Sequence, residues 1–262
     1  MAETWNELND SQIVRIAAAL FEDLSETDLN LRLVRILLDY RYKEMTHTEP
    51  EVMVEHLFPL VEWIKTECNL TEQKIPYISR WFGLRKYYGP SSALMNLRFC
   101  EWDAAERAMY EFSTSKSTDA LYQFVAVLYR PARKSPMKET DDVSDKREPY
   151  NYSKNESIAN ALKKIVPLRQ AYAILLWYKG CRQYINSLYP SIFSPADEDS
   201  DMEEQQPFLF PLMRSIAKSG IYGDIDKVEQ LYLYTTLEEM VAAEEEREAT
   251  ERALKTNKKD FE

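Results

Sequence analysis

Apolar residues recur at helical spacing along most of the chain. Ile13, Ile16, Ala17 and Leu20 share one face, and Asn9 followed by Gln12 has the form of a capping box opening that helix. Trp5, just ahead of the cap, is placed to staple the incoming chain onto it. Ser25 can cap a second helix that carries Leu29, Leu33, Ile36, Leu37 and Tyr40 along one side. A third is predicted from Pro50, a favourable first-turn proline, through Val54, Leu57, Val61 and Ile64, with Pro59 kinking or breaking it.

The period then fails. Residues 70–97 hold two of the five glycines and no sustained 3.6-residue repeat, so they read as an irregular folded connector with room for short extended pieces. Within it, Gly89-Pro90 sets a turn that delivers Leu94 and Leu97 to the core, and Asn96 caps or turns the chain. Helical pattern resumes from Phe99 to Phe112 and from Thr118 to Tyr129, and Pro131 stops it. Arg130 is placed to meet the last carbonyls of that helix.

A polar, proline-bearing stretch over 131–152 reads as a long mobile loop. Ser153 and Glu156 form a second capping-box pattern, opening a helix to Lys164, and Pro167 begins the longest apolar helix, which ends near Tyr189-Pro190. Residues 194–206 are an acidic linker with six acidic residues and no basic one. Two helices follow, over roughly 208–219 and 225–256. The second changes character: Val228, Leu231, Leu233, Leu237 and Val241 can pack, whereas from Glu244 onward nearly the only apolar residues are Ala249, Ala253 and Leu254. Such a half is not stabilised by burial in its own domain, so it frays in water or lies against something else.

The fold class these patterns predict is all-α. A multi-helix core domain spans 1–193 with its loop at 131–152, the linker covers 194–206, and a C-terminal helical pair with a polar tail covers 207–262. Composition agrees. The chain has 262 residues, 45% of them hydrophobic and 29% charged, which suits one large globular domain or two small ones. Five glycines argue against a fold of many tight turns or a glycine-cradled nucleotide site.

Cys68, Cys100 and Cys181, odd in number and far apart, read as thiols in a reducing compartment. Met1 leads straight into the polar run Ala2–Asp10, and no apolar run reaches the roughly 18–20 residues of a membrane span. The location expected is cytoplasmic. Charge is lopsided: of a net −11, the segment from Ser194 onward supplies 18 acidic against 8 basic residues, leaving about −1 for the first 193. That argues against general duplex binding and suits either a solvated acidic tail or one that meets a basic partner.

Catalytic chemistry finds little to work with. His47 and His56 are the only histidines, nine apart, and there is no Cys-x-x-Cys, no Gly-x-Ser-x-Gly elbow, no P-loop and no Gly-x-Gly-x-x-Gly. No catalytic, cofactor or metal residue is expected. Glu101, Asp103 and Glu106 cluster in sequence, yet nothing marks them as buried, and a helix-start or surface role is the expectation. Cys100 reads as a packed thiol rather than a nucleophile. The run Arg80–Tyr88 interleaves three cations with four aromatics, the ingredients of a single-strand stacking platform, but in an acidic chain its aromatics are expected to fill the core.

Several short runs resemble proteins of phages and prophages of Bacteroidetes bacteria. Thr4-Trp5-Asn6-Glu7-Leu8 through Gln12 looks like their opening "sWNEL…Q", and Tyr88-Gly89-Pro90 with Leu94 through Trp102 resembles their "GP…L.NL.F.EF" signature. Leu128-Tyr129-Arg130-Pro131 and Arg147-Glu148-Pro149-Tyr150 resemble further segments found there and in some crAss-like phages. The likeness runs in order over most of 4–193; the acidic linker and polar tail match nothing specific.

That resemblance implies a tail-morphogenesis protein of tail-assembly-chaperone type, non-enzymatic, whose partner is a phage tail or other virion protein. The alternative it leaves is a ring, adaptor or cargo protein of the virion itself. An enzyme with an unrecognised carboxylate site stands third. The partner surfaces expected are a groove around Trp81, Phe82, Tyr87 and Tyr88 and the C-terminal helix at Leu237 and Val241.

Overall fold

The computed structural model describes residues 2–38, 49–66, 68–80, 85–134, 145–193 and 225–259. They form a mostly helical domain with one small sheet, the all-α class expected. The two expected helix caps are present, whereas Trp5 meets a different partner from the first helix it was expected to staple. Trp5 is buried against Trp63, the rings edge to face with centroids 5.8 Å apart. Asn9 caps α1 (Asp10–Leu20) with a reciprocal box: Gln12 N donates to Asn9 Oδ1 at 2.9 Å and Asn9 N donates to Gln12 Oε1 at 3.1 Å. Ser25 Oγ accepts from Asp28 N at the start of α2 (Glu26–Leu38), which buries Leu33, Val34, Ile36 and Leu37.

The third helix breaks as its proline requires. α3 (Pro50–Val52) opens into a wide π-helical turn over Met53–Leu57, closed by Phe58 N donating to Met53 O at 2.9 Å. Pro59 has no N–H to continue the ladder, so the chain tightens to a 3-10 turn over Pro59–Val61 before α4 (Glu62–Thr66).

The connector holds a hairpin. β1 (Tyr77–Arg80) pairs antiparallel with β2 (Arg85–Tyr88), which pairs with the short β3 (Arg130–Pro131) in the order β1-β2-β3. Asn96 turns the chain as expected: its Oδ1 accepts from Ser91 N at 2.8 Å and its own N–H donates to Ser91 Oγ at 3.2 Å.

The core is centred on α8 (Leu168–Leu188), which packs against α1 and against α6 (Thr118–Leu128). The connector lies directly on α8. Trp177 Nε1 donates to Thr71 O at 3.1 Å, and a Cβ on Gly180 would come within 2.5 Å of Leu70 O, so the backbones meet there without room for a side chain. Tyr129, wholly buried, donates to Ile75 O at 2.6 Å and secures the connector from the other side.

Around this core stand α5 (Phe99–Ser115), α7 (Tyr152–Lys163) and the short α9 (Pro190–Phe193). The cap of α7 is Asn151, not Ser153: Asn151 Oδ1 accepts from Ser153 N at 3.0 Å, so the helix starts two residues before the Ser-x-x-Glu pattern places it.

The C-terminal helix is split into α10 (Ile225–Glu229) and α11 (Leu233–Lys259). Between them Phe99 N donates to Leu231 O at 3.0 Å and Leu233 N donates to Leu97 O at 2.8 Å. Those backbone bonds to the connector displace the helical ones. The expected acidic linker and the helix over 208–219 lie outside the described residues.

Candidate functional site

Of the expected partner groove, Trp81 and Phe82 lie outside the described residues. Tyr87 is a correction: it is 8% exposed and belongs to the core, because the strand alternation that leaves Lys86 outside turns Tyr87 inward. Tyr88 is half-buried, with Lys146 Nζ over its ring at 5.9 Å, and Lys86 Nζ covers the ring of Tyr77 at 4.8 Å. Each of these two tyrosines thus has one of the protein's own cations over its ring, although Tyr77 stays 46% exposed. Leu237 is a second correction, wholly buried as α11 leaves the core, whereas Val241 one turn later is half-buried.

The reading of 131–152 as a mobile loop is corrected at both ends; residues 135–144 lie outside the described ones. Arg133 N donates to Lys146 O at 2.8 Å and Glu148 N to Pro131 O at 2.9 Å, tying the ends into a two-stranded neck. Ion pairs explain the order. Arg130 Nη2 donates to Glu101 Oε1 at 2.6 Å, and Arg147 Nη1 lies 3.0 Å from Glu101 Oε2. Arg147 also holds both carboxylate oxygens of Asp145 at 2.9 Å and donates to Asn96 O at 2.9 Å. Arg130 meets Val127 O at 2.6 Å, the helix-end contact expected of it.

Two arginines and two carboxylates thus make a neutral row, buried except for the partly exposed Asp145, that clasps β3 and the 145–148 segment onto α5. Burial pushes the Asp145 carboxyl up, but the hydrogen bonds and charge of Arg147 outweigh it and hold the group below the usual carboxylate range.

Glu101 and Glu106 are therefore not surface residues, at 1% and 4% exposed. Each is buried because partners distant in sequence satisfy it. For Glu106 these are the Tyr178 hydroxyl, donating at 2.8 Å, and Arg182 Nε at 3.1 Å. Burial dominates nonetheless and raises the Glu106 carboxyl above its ordinary value.

Beside the clasp, α5, α6, α7 and the end of α10 line a half-open cavity of about 740 Å³. Cys100, Asp103 and Arg107 from α5, Gln123 from α6, Tyr150 and Asn155 at α7, and Glu229 line it, with Glu111 and Glu156 on exposed positions of its wall. Arg107 pairs with Asp103 Oδ2 at 2.7 Å, and Asn155 Nδ2 donates to Gln123 Oε1 at 2.7 Å. The second oxygen of Asp103, the Tyr150 hydroxyl and Asn155 Oδ1 have no hydrogen-bond partner.

Burial, with the charge of Glu101 adding to it, pushes the Cys100 thiol up to about 12, so it is protonated at neutral pH. Burial likewise raises the Tyr150 hydroxyl to about 12. Neither group is an activated nucleophile at neutral pH. Among the described residues no group of three or more His, Cys, Asp or Glu could hold a metal ion, and no helix is long and apolar enough to cross a membrane.

Arg147, Asp145, Tyr150 and Asn155 escaped sequence reasoning. In the sequence Arg147-Glu148-Pro149-Tyr150 stands out only as part of a signature, and a lone Arg within a polar run gives no local sign of burial. No family model, curated protein or solved structure matches the chain.

Proposed function

We propose that this chain acts by binding another protein, through the outer part of α11. The observation that carries this reading is the change in burial along that helix. Leu233, Leu237 and Met240 are buried, whereas Ala242, Ala243, Glu245, Glu246, Arg247, Ala249, Thr250 and Arg252 are exposed. Helical backbone over 27 residues, about 40 Å, continues well beyond its packed turns. Helices in water draw most of their stability from an apolar face that is packed, and beyond Val241 none of the side chains whose burial is described is buried.

The exposed stretch is acidic, with Glu244, Glu245 and Glu246 against Arg247, so its complement is a basic protein surface. The resemblance of short runs over most of 4–193 to phage tail-morphogenesis proteins suggests the setting: the partner proposed is a phage tail or other virion protein, and the role is chaperone-like. Affinity purification from phage-producing cells with lysine cross-linking tests this. Cross-links from Lys255, Lys258 or Lys259 to a virion protein are expected, and recovery of no virion protein sinks the reading. Proteomics of purified particles distinguishes a chaperone, absent from them, from a ring, adaptor or cargo protein, present at fixed stoichiometry.

A further inference from the structure

We propose that the β1–β2 hairpin, with the neck beside it, binds single-stranded nucleic acid. The aromatics of this region divide. Tyr87 turns into the core, whereas Tyr88 stands opposite Tyr77 in the register of the two strands. The Tyr77 and Tyr88 rings are neighbours, with centroids 6.3 Å apart and planes tilted by 53°. Lys86 Nζ lies 4.8 Å from the centre of the Tyr77 ring, and Lys146 Nζ lies 5.9 Å from that of Tyr88. Two adjacent rings bracketed by two ammonium groups combine a stacking surface with phosphate contacts, as single-strand sites do.

The charge around the two rings is one-sided. Arg85, Lys86, Lys134 and Lys146 are all exposed, and they are gathered by the pairing of β1, β2, β3 and the 145–148 segment. The two carboxylates of these segments are engaged with other partners: Arg147 holds Asp145, and Glu148 lies 3.0 Å from Lys154. Among the described residues, none of the four exposed cations is joined to a carboxylate. The net charge of −11 does not oppose them evenly, because the first 193 residues account for only about −1 of it.

An acidic peptide would meet the cations but make little use of the rings, whereas a nucleotide uses both. The ring spacing of 6.3 Å exceeds the ~3.4 Å rise per nucleotide of a stacked strand, so two bases seated there are splayed apart. A single strand allows that and a duplex does not. The flexible lysine stems let each ammonium swing from the ring face to a phosphate as a base takes its place.

Fluorescence anisotropy with the full chain and a labelled oligothymidylate of about 12 nucleotides tests the site. Saturable binding with a Kd of about 1–100 μM is expected at ~50 mM salt. The logarithm of the association constant is expected to fall with that of salt at a slope of about −3, roughly 0.7 for each of four cations. Lys86→Glu combined with Lys146→Glu is expected to weaken binding about tenfold or more and to flatten the slope. Tyr77→Ala is expected to weaken it about fivefold or more, whereas Tyr77→Phe keeps the ring and binds like the parent. All three side chains are exposed, and circular dichroism checks that each variant is folded. An abasic oligomer is expected to bind the parent no better than oligothymidylate binds Tyr77→Ala. No saturable binding at ~100 μM protein, or undiminished binding by folded Tyr77→Ala, would overturn the proposal. So would an oligoglutamate that competes as well as the oligonucleotide, which would make an acidic protein segment the occupant.

Discussion

Arg147 Nη1 lies 3.0 Å from Glu101 Oε2, and neither side chain is more than 2% exposed. Together with Arg130 on the other carboxylate oxygen, this guanidinium far along the chain allows a carboxylate on α5 to be buried, and it ties the neck at 145–148 to that helix. Removing one partner of such a pair strands the other's charge in the interior. Arg147→Met is expected to lower unfolding free energy by about 3–5 kcal/mol in urea titrations. The exposed pair Arg32–Glu22, at 42% and 46%, serves as the control, and Arg32→Met is expected to cost under about 1 kcal/mol. Similar losses in the two variants would mean the clasp does not hold the fold.

The clasp also sets an acid limit. Asp145 has a folded-state pKa below its ordinary value, so its contribution is present above the unfolded value of about 3.9 and is lost as pH falls through the folded one. Asp145→Asn is therefore expected to be less stable than the parent at pH 7, with the gap narrowing toward pH 2. A gap that stays constant with pH contradicts the pairing with Arg147.

Glu106 carries the opposite sign. Its folded-state pKa is raised, chiefly by burial, so its contribution is largest below the unfolded value of about 4.3 and is lost as pH rises through the folded one. Glu106→Gln keeps an acceptor for Tyr178 and removes the titration. Measured by thermal unfolding, its stability relative to the parent is expected to improve between pH 4 and pH 8; a flat difference argues against a buried, titrating carboxylate.

How much of this could be seen beforehand follows the range of the interaction. Asn9 with Gln12, Pro59, and Arg130 beneath Val127 act within a few residues, and their roles were readable from spacing. The exposed half of α11 was readable for the same reason, since loss of its apolar stripe is local. Glu101 and Glu106 were misplaced because their burial rests on Arg147 and Tyr178, 46 and 72 residues away. The burial of Tyr87 agrees with the expectation that the aromatics of 80–88 fill the core, but a four-residue strand is too short to show the alternation that excludes it from a partner groove. The cavity had no sequence signal at all: its wall comes from four separate helices.

Gly180 offers a test of the packing that positions everything else. A Cβ there would meet the Leu70 backbone at 2.5 and 2.7 Å, and backbone cannot rotate out of the way. Gly180→Ala is expected to destabilise by roughly 2–3 kcal/mol despite its better helix propensity. A stabilised variant would show that α8 and the connector are further apart than described.

The central claim, that the chain works through the unburied part of α11, is tested most directly by ending the chain at Val241. Full-length and shortened proteins, both shown to be folded by circular dichroism, are used as bait in phage-producing cells. The full chain is expected to recover a tail or other virion protein that the shortened chain does not. Equal recovery by both contradicts the claim.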